Sequence, residues 1–202
     1  MPEPQIVLIT GERQVGKSTL CFRTAQALQK KQIKVSGVLT RRSGPHDLEV
    51  LELITGQTYP LTLPFNPADS SPLGLFQMDP QAFLRSNRAL ENSFPTQALF
   101  VDELGPREFF HNEGWVSVFT MLREKSYQVA FIVIRPELLI QAICQLPASM
   151  YVLIRVEREN RDFLCPEMVT LAEELCQRNG NSRSGAGNGE RRDDGAVASD
   201  RT

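Results

Sequence analysis

Ile6-Val7-Leu8-Ile9-Thr10-Gly11-Glu12-Arg13-Gln14-Val15-Gly16-Lys17-Ser18 decides the fold of this chain. Its first four residues are apolar, two of them are isoleucine and one is valine, and a glycine closes the run, the pattern of a strand buried on both faces. Residues 11–18 match G-x-x-x-x-G-K-[ST]. Glycines let such a loop curl until its backbone N–H groups converge on phosphate oxygens, and the helix that follows adds its positive end. Gly11, Glu12, Arg13, Gln14, Val15 and Gly16 therefore read as a phosphate cradle made chiefly of amides. Lys17 would bridge the β- and γ-phosphates, the Ser18 hydroxyl would bind Mg²⁺, and Thr19 completes the nucleotide-contacting stretch. At average usage the four fixed positions arise by chance in roughly one chain of this length per hundred. The preceding strand and following helix make chance rarer still.

Working outward, Leu20, Thr24, Ala27, Leu28 and Lys31 fall at helical spacing, so strand, loop and helix come in order. Val35–Thr40 reads as a second strand. Leu48–Ile54 alternates apolar with acidic residues and, after Thr55-Gly56-Gln57, Tyr59–Leu63 returns as a hairpin. The stretch 66–72 reads as loop. Asp79-Pro80 starts a helix to about Phe94. Ala98–Val101 is a buried strand, and Trp115, Val118, Phe119 and Leu122 mark an amphipathic helix. Val129–Ile134 is a strand, Pro136–Cys144 a helix and Tyr151–Val156 the last strand. A helix from Asn160 to Arg178, stopped by Asn179-Gly180, closes the pattern. This order predicts an α/β class, a three-layer P-loop fold whose mainly parallel sheet carries an antiparallel hairpin insertion.

Asp102 and Glu103 end the 98–101 strand. A carboxylate there can hold a Mg²⁺-bound water across from Ser18, making Ser18 and Asp102 the expected metal ligands. Glu103 can orient or deprotonate an attacking water, so Glu103 and Lys17 are the catalytic candidates.

Charge and composition exclude other classes. The chain has 202 residues, 22 basic and 24 acidic, and is 41% hydrophobic. From Asn179 to Thr202 the only apolar residues are Ala186, Ala196, Val197 and Ala198, and basic and acidic residues balance. Residues 1–178 are thus expected to form one domain and 179–202 a disordered tail. A near-neutral body argues against broad capture of nucleic acid or an anionic membrane. No 18-residue apolar run spans a bilayer, and MPEPQIVLITGE lacks the basic leader of a signal peptide. Cys21, Cys144, Cys165 and Cys176 contain no C-x-x-C pair and read as reduced core thiols of a cytoplasmic protein.

A resemblance adds to this reading. Asp102-Glu103-Leu104-Gly105-Pro106-Arg107-Glu108 after its strand resembles the DE-[IL]-G-x-x-E signature of the thermostable, cancer-related nucleoside-triphosphatase family. Glu157-Arg158-Glu159-Asn160-Arg161-Asp162 is similar to that family's late E-N-R-D element. Gly37-Val38-Leu39-Thr40 and the hairpin also fit its order, so the likeness spans roughly Ile6 to Arg178. It implies slow, Mg²⁺-dependent hydrolysis of nucleoside 5′-triphosphates (ATP, GTP or others) to diphosphates, with loose base selectivity.

Several residues stay open at this level. Arg161 either stacks on a base or reaches a phosphate, or it is a surface charge behind an Asn160 cap. The Arg13 side chain is expected to face water, and Arg41 and Arg42, only approximately matching the family's basic segment, to sit on a solvated loop. Glu108 is expected to point away from the phosphates. Two other functions share the scaffold: a small-molecule or nucleotide kinase, and a binding switch read out through the 66–72 loop and the hairpin. Phe109-Phe110 either caps a core or forms an interface, and a monomer is expected.

Overall fold

The computed structural model describes residues 5–64, 76–124, 126–147 and 151–184, with side chains described through Gln177. Strands β1 (Gln5–Thr10), β2 (Val35–Arg42), β3 (Leu48–Glu52), β4 (Thr58–Pro60), β5 (Ala98–Leu104), β6 (Val129–Ile134) and β7 (Tyr151–Arg155) form one sheet ordered β4-β3-β2-β5-β6-β1-β7. β2, β5, β6, β1 and β7 run parallel, whereas β3 and β4 pair antiparallel beyond β2, which is the expected hairpin insertion. Parallel strands carry their carboxyl ends to one edge, so the ends of β1, β2, β5, β6 and β7 meet there.

Helices α1 (Lys17–Lys30), α2 (Pro80–Glu91), α3 (Ser117–Glu124), α4 (Leu139–Gln145) and α5 (Arg161–Ser184) cover the sheet. The pleat sorts its residues between two cores. Val7 and Ile9 face Leu20, Ala25 and Leu28 of α1 and Met168 and Ala172 of α5. Ile6 and Leu8 face the opposite way, into a cluster with Leu90, Val118, Leu122 and Ala142. Both faces of β1 are therefore dry, which is why its sequence is a continuous apolar run instead of an alternation. Phe100 and Phe131 stack across β5 and β6 with centroids 4.7 Å apart.

Asp79 caps α2 as expected, accepting a hydrogen bond from Gln81 N at 2.8 Å, with Pro80 behind it. The helix stops at Glu91, short of Phe94. Ser93 Oγ takes the Leu90 carbonyl at 2.7 Å, and Phe94 precedes a proline, which disfavours helical backbone. The 107–111 segment forms a π-helical turn, and a 3₁₀ turn over Pro136–Leu138 precedes α4. α5 runs past the expected stop at Asn179-Gly180 to Ser184. A glycine costs a helix about 1 kcal/mol and does not by itself end one. The expected loop at 66–72 lies outside the described residues, and of the tail expected over 179–202, residues 179–184 fall in α5 while 185–202 lie outside the described residues.

Cys21 and Cys176 are buried and Cys165 half-buried, but Cys144 is exposed, correcting its reading as a core thiol; all four are free. Phe109 is buried against Phe119, at 5.5 Å and 71° between rings, and Phe110 is 58% exposed. Among the described residues no helix is long and apolar enough to cross a membrane.

Candidate active site

The phosphate loop hangs between β1 and α1. Gly11 has φ 144°, and a Cβ there would lie 2.3 Å from the Val156 carbonyl oxygen, so only glycine fits. Gly16 has φ 110° and Gln14, without a glycine's freedom, φ 61°. Left-handed positions in so short a loop are what an anion nest requires. Gly16 stands at the N-cap of α1, and no side chain caps that end. Its first-turn amides are thereby left for an anion. Val15 is buried under the loop, whereas Glu12, Arg13, Gln14 and Thr19 are exposed. Arg13 faces solvent as expected.

Lys17 Nζ donates to two loop carbonyls, Gly11 O at 2.8 Å and Glu12 O at 2.7 Å. Burial pulls its pKa below the usual lysine range, and the negative charges of Glu103 and Asp102 oppose that shift. All three side chains thus belong to one electrostatic site, although β6 separates β1 from β5.

Asp102 is 1% exposed. Its Oδ2 accepts from Thr40 Oγ1 at 2.6 Å and from Thr40 N at 3.0 Å. Ser18, on the first turn of α1, is near enough to act on the same side chain. Burial raises the Asp102 pKa, and Thr40 and Ser18 counteract it. A Ser18 hydroxyl beside a buried carboxylate is a hard-oxygen donor set that fits Mg²⁺, which prefers one or two protein ligands together with phosphate and water. Among the described residues no group of three or more His, Cys, Asp or Glu side chains offers an ion a complete protein cage.

Glu103 sits at φ 56° beside a register shift between Val101 and Leu104. Left-handed backbone is uncommon for a non-glycine residue, and such a bulge re-aims a side chain at a strand's end. Glu103 is thereby turned toward Arg135, the residue after β6, whose Nε donates to Glu103 Oε1.

Arg161 opens α5 beside the loop, its Cδ 3.5 Å from where a Gly16 Cβ would stand. Asn160 stands directly before α5 as expected, its carbonyl accepting from Phe163 N at 2.9 Å and Leu164 N at 3.2 Å. Its side chain closes the turn behind it, accepting from Glu157 N at 2.8 Å and donating to Arg155 O at 2.9 Å. Arg41 and Arg42 are exposed but end β2, paired with β3, and so do not sit on a loop; Arg41 pairs with Glu49 at 2.6 Å, and Arg42 lies 5.2 Å from the Phe76 ring centroid. Glu108 is buried and accepts from Gly105 N at 2.8 Å and Trp115 N at 3.1 Å, so it staples the segment after β5.

Sequence reasoning missed Thr40 and Arg135 as members of this site. Both are polar residues at carboxyl ends of parallel strands, and that position is the signal that points to them.

This fold and loop define a P-loop nucleotide-binding α/β protein. Residues 6–169 match the sequence profile of a family described as NTPase. The chain belongs to that family, the thermostable and cancer-related nucleoside triphosphatases. THEP1 from the hyperthermophile Aquifex aeolicus superposes with a TM-score of 0.64 at 19% identity, covering 84% of this chain and 99% of that one. A human cancer-related nucleoside triphosphatase superposes at 0.63 with 21% identity, covering 84% and 98%. At these identities the two structures establish the fold. No curated protein matches significantly.

Proposed function

We propose that this protein hydrolyses nucleoside 5′-triphosphates to diphosphate and phosphate, slowly, with Mg²⁺ and with loose base selectivity. The observation that carries the reading is that Lys17 and Ser18, which open α1 after β1, meet Asp102 and Glu103 at the end of the non-adjacent β5 at one sheet edge.

In this reading the amides of residues 12–17 cradle the phosphates, and Lys17 exchanges its loop carbonyls for β- and γ-phosphate oxygens. Ser18 and Asp102 would hold Mg²⁺, with Thr40 fixing the carboxylate's orientation. The bound ion would neutralise phosphate charge. Glu103 orients the attacking water and accepts its proton, and Arg161, beside Gly16, takes the nucleotide's base or a phosphate. Small substrates suffice for this site, so neither nucleic acid nor a membrane enters the proposal, and a cytoplasmic monomer accords with it.

Phosphate release is the test. It should require Mg²⁺, stop on chelation and return on adding the ion back. Release that proceeds unchanged in chelator would overturn the metal assignment. Candidate hydroxyl acceptors should not raise nucleotide turnover; a strong acceptor dependence would move the chain to the kinases.

A further inference from the structure

Two cations share the mouth of the site. Lys17 and Arg135 act on each other unfavourably, the positive charge of Arg135 being among the causes that lower the Lys17 pKa. Arg135 is held by the Glu103 carboxylate alone among the described acceptors, and the pair is only partly buried, at 28% and 39% side-chain exposure. Its backbone is extended and fixed by the proline that follows, so only the side chain is free to swing. β6 places it between β1, which ends in the phosphate loop, and β5, which ends in Asp102-Glu103.

A second cation beside the P-loop lysine, unneeded for the cradle and bonded to the residue that must handle water, calls for a role. Resting on the triphosphatase reading, we propose that Arg135 is a γ-phosphate-contacting residue that exchanges Glu103 for the terminal phosphate. Without nucleotide, its guanidinium occupies the Glu103 carboxylate. A third phosphate brings negative charge to the same edge and offers the fork-shaped guanidinium a better partner. Arg135 then turns to the γ-phosphate and releases Glu103 toward water. A diphosphate, ending one phosphate short, leaves the ion pair in place. The device couples the presence of a cleavable phosphate to the availability of Glu103.

The test compares affinities with Mg²⁺ for a β,γ-imido triphosphate analogue and for the diphosphate. Arg135→Gln should weaken the triphosphate analogue roughly tenfold or more while shifting the diphosphate less than about twofold. Arg135→Lys, which keeps the charge but not the fork, should fall between. Glu103→Gln removes the competing carboxylate and should tighten the triphosphate analogue several-fold, and that gain should vanish in the Arg135→Gln, Glu103→Gln double variant. Equal losses for the two nucleotides, no loss at all, or a gain that persists in the double variant would overturn the exchange. If Arg135→Gln does not fold, Arg135→Lys alone and with Glu103→Gln carries the same comparison. Loss of all nucleotide binding by the wild type would instead overturn the triphosphatase reading itself.

Discussion

Lys17 is the residue on which both binding and chemistry converge. Its ammonium already satisfies two loop carbonyls without a nucleotide, so Lys17→Ala removes both the phosphate contact and an internal brace of the loop. Nucleotide affinity and turnover should both fall, by at least about tenfold each, measured by direct titration and phosphate release. Normal binding and turnover without Lys17 would dismiss the phosphate-loop assignment. Thr40 permits a finer experiment. Thr40→Val deletes the hydroxyl bond to Asp102 and keeps the backbone one. A lost hydrogen bond to a charged group is worth about 1.5–3 kcal/mol, so the Mg²⁺ concentration for half-maximal rate should rise about tenfold, and no change would mean that Asp102 is oriented by other contacts.

At the scale of elements, the segment after β5 depends on one buried acid. Glu108 accepts two backbone N–H groups, and burial raises its pKa, the hydrogen bonds from Gly105 and Trp115 opposing. A raised folded pKa means that the native state holds the proton more tightly than the unfolded chain. The associated stabilisation is complete below the unfolded pKa and is lost as pH climbs through the folded one. Glu108→Gln offers one amide oxygen to two donors and should cost about 1–3 kcal/mol. Asp102 titrates in both proteins, so the difference between them isolates Glu108, and that gap should be widest on the acid side and narrow toward neutrality in urea unfolding. A gap that widens would contradict the assignment. This staple was outside the reach of sequence reasoning, which placed Glu108 only by its distance from the phosphates. The elements themselves were legible, because strands buried on both faces and helices with one apolar stripe leave local periodicities. What was not legible depended on partners distant in sequence. The Glu103 bulge, the Arg135 ion pair and the Thr40 clamp on Asp102 arise only once β2, β5 and β6 lie side by side. The end of α5 was misread because a local Asn-Gly signal was given more weight than the helix before it.

Across the whole molecule, one sheet edge collects every residue in the mechanism: the loop after β1, Thr40 of β2, Asp102 and Glu103 of β5, Arg135 after β6 and Arg161 after β7. The hairpin of β3 and β4 extends the sheet away from this edge's centre and contributes none of them. The 179–202 stretch holds only four apolar residues, and none of residues 185–202 enters the proposed mechanism, so deleting 185–202 should leave turnover and unfolding midpoint unchanged. A truncated protein that loses activity would place the tail in the mechanism. The central claim, a water-directed triphosphatase centred on Glu103, is tested most directly by phosphate release from ATP, GTP, CTP and UTP with Mg²⁺, run for wild type and Glu103→Gln side by side. The account predicts release from all four by the wild type, and at least about a hundredfold less by a variant that still binds nucleotide, a difference of about 2.7 kcal/mol in the barrier. No release by the wild type, or equal rates in the two proteins, would contradict it.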